Sequence, residues 1–397
     1  MNLLIFNCGS SSLSYSLYRA TPLRDVETLA SGKAYHVATK SQEAAYILHH
    51  AHGETLRREH PFPDHAAAAS VVLEHLAVRS YAIDAIGHRF VHGGTFFHGS
   101  AMLDEAALDK LRQCLPLAPI HNPNSIKVVE ACQQALPGVP QYASFDTAFH
   151  AGLPESAYRY ALPKDWTELG FRKYGFHGLS YQSVTNSLAE FLGVPLSSVK
   201  MVLCHLGTGG SSVAAVDGGR SVETSMGYSP LPGLIMSTRS GDLDPTIPLA
   251  LVGKHGLSPE NVERRLNRES GLLGVSGVTS DVLELVELAE QGHTLAQLAV
   301  DMYVHRLKAT IGAYLAILGG ADVLAFTDDV GKRCAAIRAQ TCAGLEPLGL
   351  ELDPALNLHA CPDETVRVSK MESACEILVV PTDEAAVIAR EGLELFL

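Results

Sequence analysis

Positive charge is scarce in this chain. Against 43 aspartates and glutamates, its 397 residues include only 30 lysines and arginines, a formal net charge of −13 at pH 7. Nucleic acid and anionic membrane are therefore poor partners, because binding them needs a basic footprint that releases counterions. An anionic ligand must be held by locally gathered Arg, His, backbone N–H groups or a metal ion. No pair among the 8 cysteines has CxxC spacing, which excludes zinc knuckles and thioredoxin-like sites. A chain of this size needs no disulfide staples, so reduced, mostly buried thiols are expected. No apolar run approaches the roughly 18 residues of a membrane span. The N-terminal Met1-Asn2-Leu3-Leu4-Ile5-Phe6 lacks the basic stretch of a signal peptide, and a cytoplasmic location is the expectation. Missing too are a GxSxG nucleophile elbow, an HExxH pair and a GK[ST] phosphate loop, which removes support for serine hydrolase, zinc peptidase and Walker-type chemistry.

What is present suits a globular protein with ample core: 47% apolar and 18% charged residues. The length exceeds what one hydrophobic core usually serves, so two domains are expected. Residues 3–6 read as a strand, 7–12 as a turn, and 13–18 as a strand alternating with period two. The pattern returns deep in the chain, with strand 199–206, turn Gly207-Thr208-Gly209-Gly210-Ser211-Ser212 and strand 213–216. Two such hairpins hint at a duplicated α/β architecture. Helical spacing covers 104–115, 122–136 and 294–318, the last stopped by Gly319-Gly320. Thr382 is the expected cap of a final helix over 383–396. A domain boundary is placed near Asp146, after a strand at 141–145.

A strand followed by a turn rich in glycine and serine suits phosphate, because unhindered N–H groups and hydroxyls converge there. A dinucleotide fold would need a helix directly after GTGGSS, and the β-like 213–216 takes its place. A single such turn is a plain hairpin; two of them shift the balance modestly toward phosphate. Four further segments set charged or imidazole side chains beside glycine or proline: GHRFVHGG at 87–94, IHNP at 120–123, YGFHG at 174–178 and STRSGD at 237–242. With 18 histidines in the chain, any one of these is as readily a structural polar group. Taken jointly they are better explained by one anion-binding cleft.

These segments resemble blocks of the acetate kinases, members of the acetate and sugar kinase, heat-shock-protein and actin superfamily. NCGSSSL at 7–13, HRFVHGG at 88–94, LAPIHNP at 117–123, FDTAFH at 145–150, RKYGFHGLSY at 172–181, HLGTGGSS at 205–212, ETSMGYSPLPGLIMSTRSGDLDP at 223–245, ESGLLGVSG at 269–277 and VVPTDEAAVIARE at 379–391 occur in that family's order. The resemblance implies an α/β fold of two duplicated actin-like (ribonuclease H-like) domains around a central cleft. One would comprise 1–147 with a returning C-terminal helix, 382–397, and the other 148–381, with the donor site and a homodimer interface. By the same resemblance Arg89, Asp146, His177 and Arg239 are catalytic. Val91, Ile120, His121, Phe176 and Pro230 bind the acid. Ser10, Ser12, His205, Gly207, Thr208, Gly209 and Gly210 bind phosphate, and Asn7 and Glu384 lie near Mg²⁺ or Mn²⁺. The residue types fit phosphoryl transfer to a carboxylate. The acceptor is already ionised, so cations and positioning matter more than a general base.

The departures from the family pattern fall on the donor side. Phe326-Thr327 is followed by Asp328, Asp329, Val330 and Gly331 in place of a glycine-rich turn, Thr208 stands for asparagine, and Ser14 for lysine. Two aspartates add bulk and like charge against a polyphosphate. The expectation is therefore an acetate kinase of the diphosphate-using kind, interconverting acetyl phosphate plus orthophosphate with acetate plus diphosphate. An ATP-dependent acetate or propionate kinase is the alternative, and a catalytically silent acyl-phosphate-binding protein is the third reading.

Overall fold

The computed structural model describes residues 1–21, 26–39, 43–361 and 363–396. The chain forms two compact units, Met1–Phe149 with Asp383–Leu397, and His150–Thr382.

The first unit is built on β1 (Asn2–Cys8), β2 (Ser12–Ala20), β3 (Val26–Tyr35), β4 (Tyr46–Ala51), β5 (Glu54–Glu59), β6 (Ala85–Phe90), β7 (Ala101–Met102) and β8 (Gln141–Phe145). They lie in the order β5-β4-β3-β2-β1-β6-β8-β7. β1 to β5 form an antiparallel meander, and β6 and β8 run parallel to β1. The central position of β1 follows from its sequence: Leu3, Leu4, Ile5 and Phe6 are all buried, the unbroken apolar run of a strand covered on both faces. At the edge, ETLRRE of β5 leaves every residue exposed, and such charge discourages pairing with another sheet. Helices His65–Val78 and Asn122–Ala135 pack together on one side, and helix Glu384–Phe396 contacts β1, β2 and β6. Each fully buried Leu, Ile or Phe contributes about 1.5–3 kcal/mol, so these layers rather than helix propensity hold the unit.

The second unit repeats the plan with β9 (Lys200–Leu206), β10 (Ser211–Asp217), β11 (Arg220–Thr224), β12 (Val323–Thr327), β13 (Val366–Arg367) and β14 (Glu376–Val379). The order is β11-β10-β9-β12-β14-β13. β9, β10 and β11 make an antiparallel meander, and β12 and β14 run parallel to β9. β1-β2-β3 with β6 and β8 and β9-β10-β11 with β12 and β14 are thus the same arrangement, the actin-like, ribonuclease H-like order, present twice. The long helix Thr294–Leu318 lays Tyr303, Leu307 and Ile311 into the core of this unit. It stops where Gly319 takes φ 67°, a left-handed C-terminal cap.

The hairpins and helices follow the sequence pattern closely, with one correction. Thr382 does not cap the last helix. Asp383 does, its Oδ1 accepting from the backbone N–H of Ala386 at 2.8 Å while the Tyr18 hydroxyl donates to it at 3.1 Å. A carboxylate serves the helix dipole better than a hydroxyl would. After β12 the chain enters a short helix, Asp328–Arg333. Every cysteine is free and buried except the half-buried Cys361. No described helix is long and apolar enough to cross a membrane.

Candidate active site

In the first unit the polar cluster gathers at the ends of the three parallel strands. Asn7 is near the end of β1, Arg89 is in β6, Asp146 directly follows β8, and Glu384 opens the last helix. The Arg89 guanidinium is forked onto Asp146, Nε to Oδ1 at 2.9 Å and Nη2 to Oδ2 at 2.6 Å. Its Nη1 donates to Asn7 Oδ1 at 2.9 Å and lies 3.5 Å from Glu384 Oε2. Asn7 Nδ2 donates to the same Glu384 oxygen at 3.2 Å. Burial opposes the charge of Arg89, but Asp146 and Glu384 outweigh it and raise its pKa still further. Ser125 Oγ donates to the Arg89 carbonyl at 3.0 Å and fixes the strand beneath.

The turn between β1 and β2 is closed by the Gly9 N–H to the Ser12 carbonyl at 2.9 Å, leaving Ser10 exposed and Ser12 half-buried. Val91 is half-buried just past β6. His121 sits at the N-cap of helix Asn122–Ala135 without a side-chain capping bond, and Ile120 before it is 49% exposed.

In the second unit the cluster surrounds the β9–β10 turn. Gly207 and Gly210 close it with reciprocal backbone bonds, while Thr208 and Gly209 are exposed. Close approach favours glycine at both closing positions, most strongly at Gly207. A Cβ on Gly207 would come 2.1 Å from Asp328 Oδ2, and one on Gly210 3.2 Å from Arg239 Nη1. Arg239 donates from Nη1 to the Pro230 carbonyl at 3.0 Å and from Nη2 to the Gly209 carbonyl at 3.1 Å. No carboxylate pairs with it among the described residues, and burial lowers its pKa. His177 adopts φ 60° at the head of helix Gly178–Leu192, a left-handed conformation that costs a non-glycine residue about 1–3 kcal/mol. Its Nδ1 is 2.8 Å from Ser212 Oγ, and its ring stacks on His205 at 4.1 Å. His205 is bonded through Nδ1 to Ser180 Oγ at 2.8 Å and through Nε2 to Asp328 Oδ2 at 3.1 Å. Phe176 is buried and Pro230 half-buried.

Asp328 takes φ 64°, the left-handed conformation in which glycine is the unstrained choice. Burial pushes its carboxyl pKa up, and the His205 hydrogen bond and charge more than reverse this, holding it below its usual range. Asp329 is exposed, with Oδ2 3.5 Å from Thr208 Oγ1. Gly331 is buried, and its carbonyl accepts from the buried Arg338 at 2.8 Å.

Sequence reasoning passed over Ser180, Tyr181 and Ser212 as partners of the histidines. The signal was present. Ser180 and Tyr181 lie three and four residues beyond His177, the spacing that shares one helix face. Ser212 faces His205 across the β9–β10 pair.

A magnesium ion suits the first cluster by donor chemistry. Mg²⁺ binds oxygen, keeps several waters and takes one or two carboxylates plus phosphates from its substrate. Glu384 and Asp146 offer carboxylate oxygens and Asn7 an amide oxygen. No group of three or more His, Cys, Asp or Glu residues able to hold a metal occurs among the described residues.

The model of the Acetokinase family matches residues 2–390. The acetate kinase of Dictyoglomus thermophilum is 42% identical, the match covering 100% of this chain and 99% of that protein. Among crystal structures, acetate kinase from Entamoeba histolytica superposes with TM-score 0.91 at 40% identity over 100% of both chains. A propionate kinase from Francisella tularensis gives TM-score 0.89 at 34% identity over 98% of both. None of these relatives is named for a diphosphate donor, which overturns the expectation of a diphosphate-using enzyme in favour of the ATP-dependent alternative. Of the two aspartates, Asp328 is engaged by His205, while Asp329 is exposed.

Proposed function

Since the chain belongs to the acetokinase family, we propose that it is an ATP-dependent acetate kinase, reversibly moving the γ-phosphoryl group of ATP to the carboxylate of acetate or propionate. The observation that carries this reading is Arg239. It is a permanent cation, mostly withdrawn from water, held beside a glycine-rich turn by carbonyl oxygens that orient its fork without neutralising it. Guanidinium in that condition serves an oxyanion.

The reaction makes modest demands on proton transfer. A carboxylate oxygen of the acid attacks the γ-phosphorus, the new O–P bond forms as the bond to the β-phosphate oxygen breaks, and the departing oxygen keeps the electron pair. No proton moves. Arg239 and the His177 Nε2 edge face the equatorial oxygens, where charge must be stabilised in transit. Arg89 holds the acid's carboxylate or the phosphoryl group, and Asp146 keeps its fork in one orientation. Counting Arg89, Asp146 and Glu384, the first cluster carries a formal charge of −1, which recruits a divalent cation; Mg²⁺ held by Glu384, Asn7 and Asp146 would neutralise phosphate charge. Val91, Ile120, Phe176 and Pro230 are the proposed apolar contacts of the acid's alkyl group.

Acyl phosphate formation from acetate, propionate and butyrate, with ATP and Mg²⁺, tests this reading. We expect turnover with ATP and a preference for the short acids. Absence of any nucleotide-dependent turnover would overturn it.

A homodimer is proposed on the same family footing. Helix Thr246–Gly253 in the second unit buries none of its residues, though Ile247, Leu249 and Val252 are large and apolar, which suits a face meant for a second copy. Sedimentation should report a dimer for the natural chain and a monomer for Leu249→Asp; an unchanged mass for the variant would exclude this face.

A further inference from the structure

We propose that Ser212 and Tyr181 are positioning residues that set the tautomer of His177, so that its Nε2 carries the proton and faces the glycine turn as a donor. The proposal rests on the reading of His177 as an oxyanion partner, and it names the residues that make it one.

His177 is strained. At φ 60° it occupies the N-cap of its helix, yet its side chain makes no capping bond there. The ring is directed to β10 instead, with Nδ1 2.8 Å from Ser212 Oγ. Ser212 is fully buried, and the Tyr181 hydroxyl, also fully buried, lies 2.5 Å from the same oxygen. Tyr181 is one helical turn beyond His177, so one helix supplies both the imidazole and the end of its hydroxyl chain. Ser212 and His205 are direct partners across β9 and β10. In the proposed chain the Tyr181 hydroxyl donates to Ser212 Oγ, and the serine proton goes to His177 Nδ1.

A neutral imidazole has one donor and one acceptor nitrogen. Accepting at Nδ1 places the proton on Nε2. That edge lies by the turn: a Cβ on Gly210 would sit 3.6 Å from both Cε1 and Nε2 of His177 and 3.2 Å from Arg239 Nη1. A donor N–H and a guanidinium thus converge beside a backbone with no side chain in the way. The opposite tautomer would turn a lone pair toward the same place and repel an oxyanion. The neighbouring ring is built alike, His205 Nδ1 resting on Ser180 Oγ, which keeps the stacked pair in register.

The test combines spectroscopy with kinetics. In protein labelled with ¹⁵N-histidine, the His177 resonances, assigned by their loss in His177→Ala, should show a protonated Nε2 and a bare Nδ1. Tyr181→Phe and Ser212→Ala should shift them toward the other tautomer or an average. In kinetics, loss of one oxyanion donor costs about 10²–10³ in kcat, and this bounds the effect of Ser212→Ala. We expect a fall in kcat with little change in the KM for acetate, recovery in Ser212→Thr, and no further loss when Ser212→Ala is added to His177→Ala. Unchanged His177 resonances in both hydroxyl variants, or an equal loss from Ser212→Ala with and without His177, would overturn the proposal. If the natural chain forms no acyl phosphate at all, the functional reading fails, while the resonances still decide the tautomer.

Discussion

The two units share one strand order and each sets an arginine near its parallel strands or glycine-rich turn, yet the two arginines live in opposite surroundings. Arg89 is clasped by Asp146 and approached by Glu384, so its own charge is more than cancelled. Among the described residues, Arg239 is held by the carbonyls of Pro230 and Gly209 and by Met236 sulfur, with no carboxylate beside it. The same guanidinium is part of a net-acidic cluster in one copy and stands without a carboxylate partner among the described residues in the other, the division of roles that the proposed function calls for. What differs is the company of carboxylates, not the backbone plan.

The largest effects that could break this comparison are catalytic. Replacing Arg239 or Arg89 by Ala should each lower kcat by about 10³–10⁵, the value of a phosphoryl-clamping arginine; acyl phosphate assays that find either variant near natural activity would refute its part in the chemistry. Stability should then separate the two. Arg89→Ala strands Asp146, which is 1% exposed, and breaking such a pair costs about 3–5 kcal/mol. Arg239→Ala leaves no carboxylate behind and should stay within about 1 kcal/mol. Denaturant titration of both variants checks this, and equal losses would erase the distinction.

A smaller effect concerns acid. Burial lowers the pKa of His49, His88 and His92 in the first unit and His150 in the second from 6.5 to about 4. The unfolded chain binds protons at these sites before the folded one does. Their contribution is therefore complete above pH 6.5 and declines as pH falls toward 4, by up to about 1.4 kcal/mol per pH unit for each histidine. With three of the four in the first unit, hydrogen exchange should show that unit opening first as pH drops from 6.5 to 4.5. Exchange that accelerates first in the second unit would contradict the assignment.

Much of the fold is legible in the sequence because its signals are local. The runs at 3–6 and 199–206 bounded by glycine and serine became β1 and β9, and the helical spacing of 294–318 was met residue for residue. What escaped is what depends on distant partners. Nothing local distinguishes Asp383 from Thr382 as a cap; the Tyr18 hydroxyl, far away in sequence, helps to fix the aspartate. Asp328 reads as bare negative charge because its partner His205 lies more than a hundred residues earlier. Ser212 reads as the last residue of a glycine-rich turn, and its pairing with His205 exists only once β9 and β10 bring the two face to face. The unequal company of Arg89 and Arg239 likewise exists only after the chain has closed on itself.

The helix Glu384–Phe396 belongs to the unit that the N-terminus begins. During synthesis residues 1–149 therefore emerge before the helix that completes their sheet, and the contact between Arg89 and Glu384 must wait until the whole intervening unit has been translated.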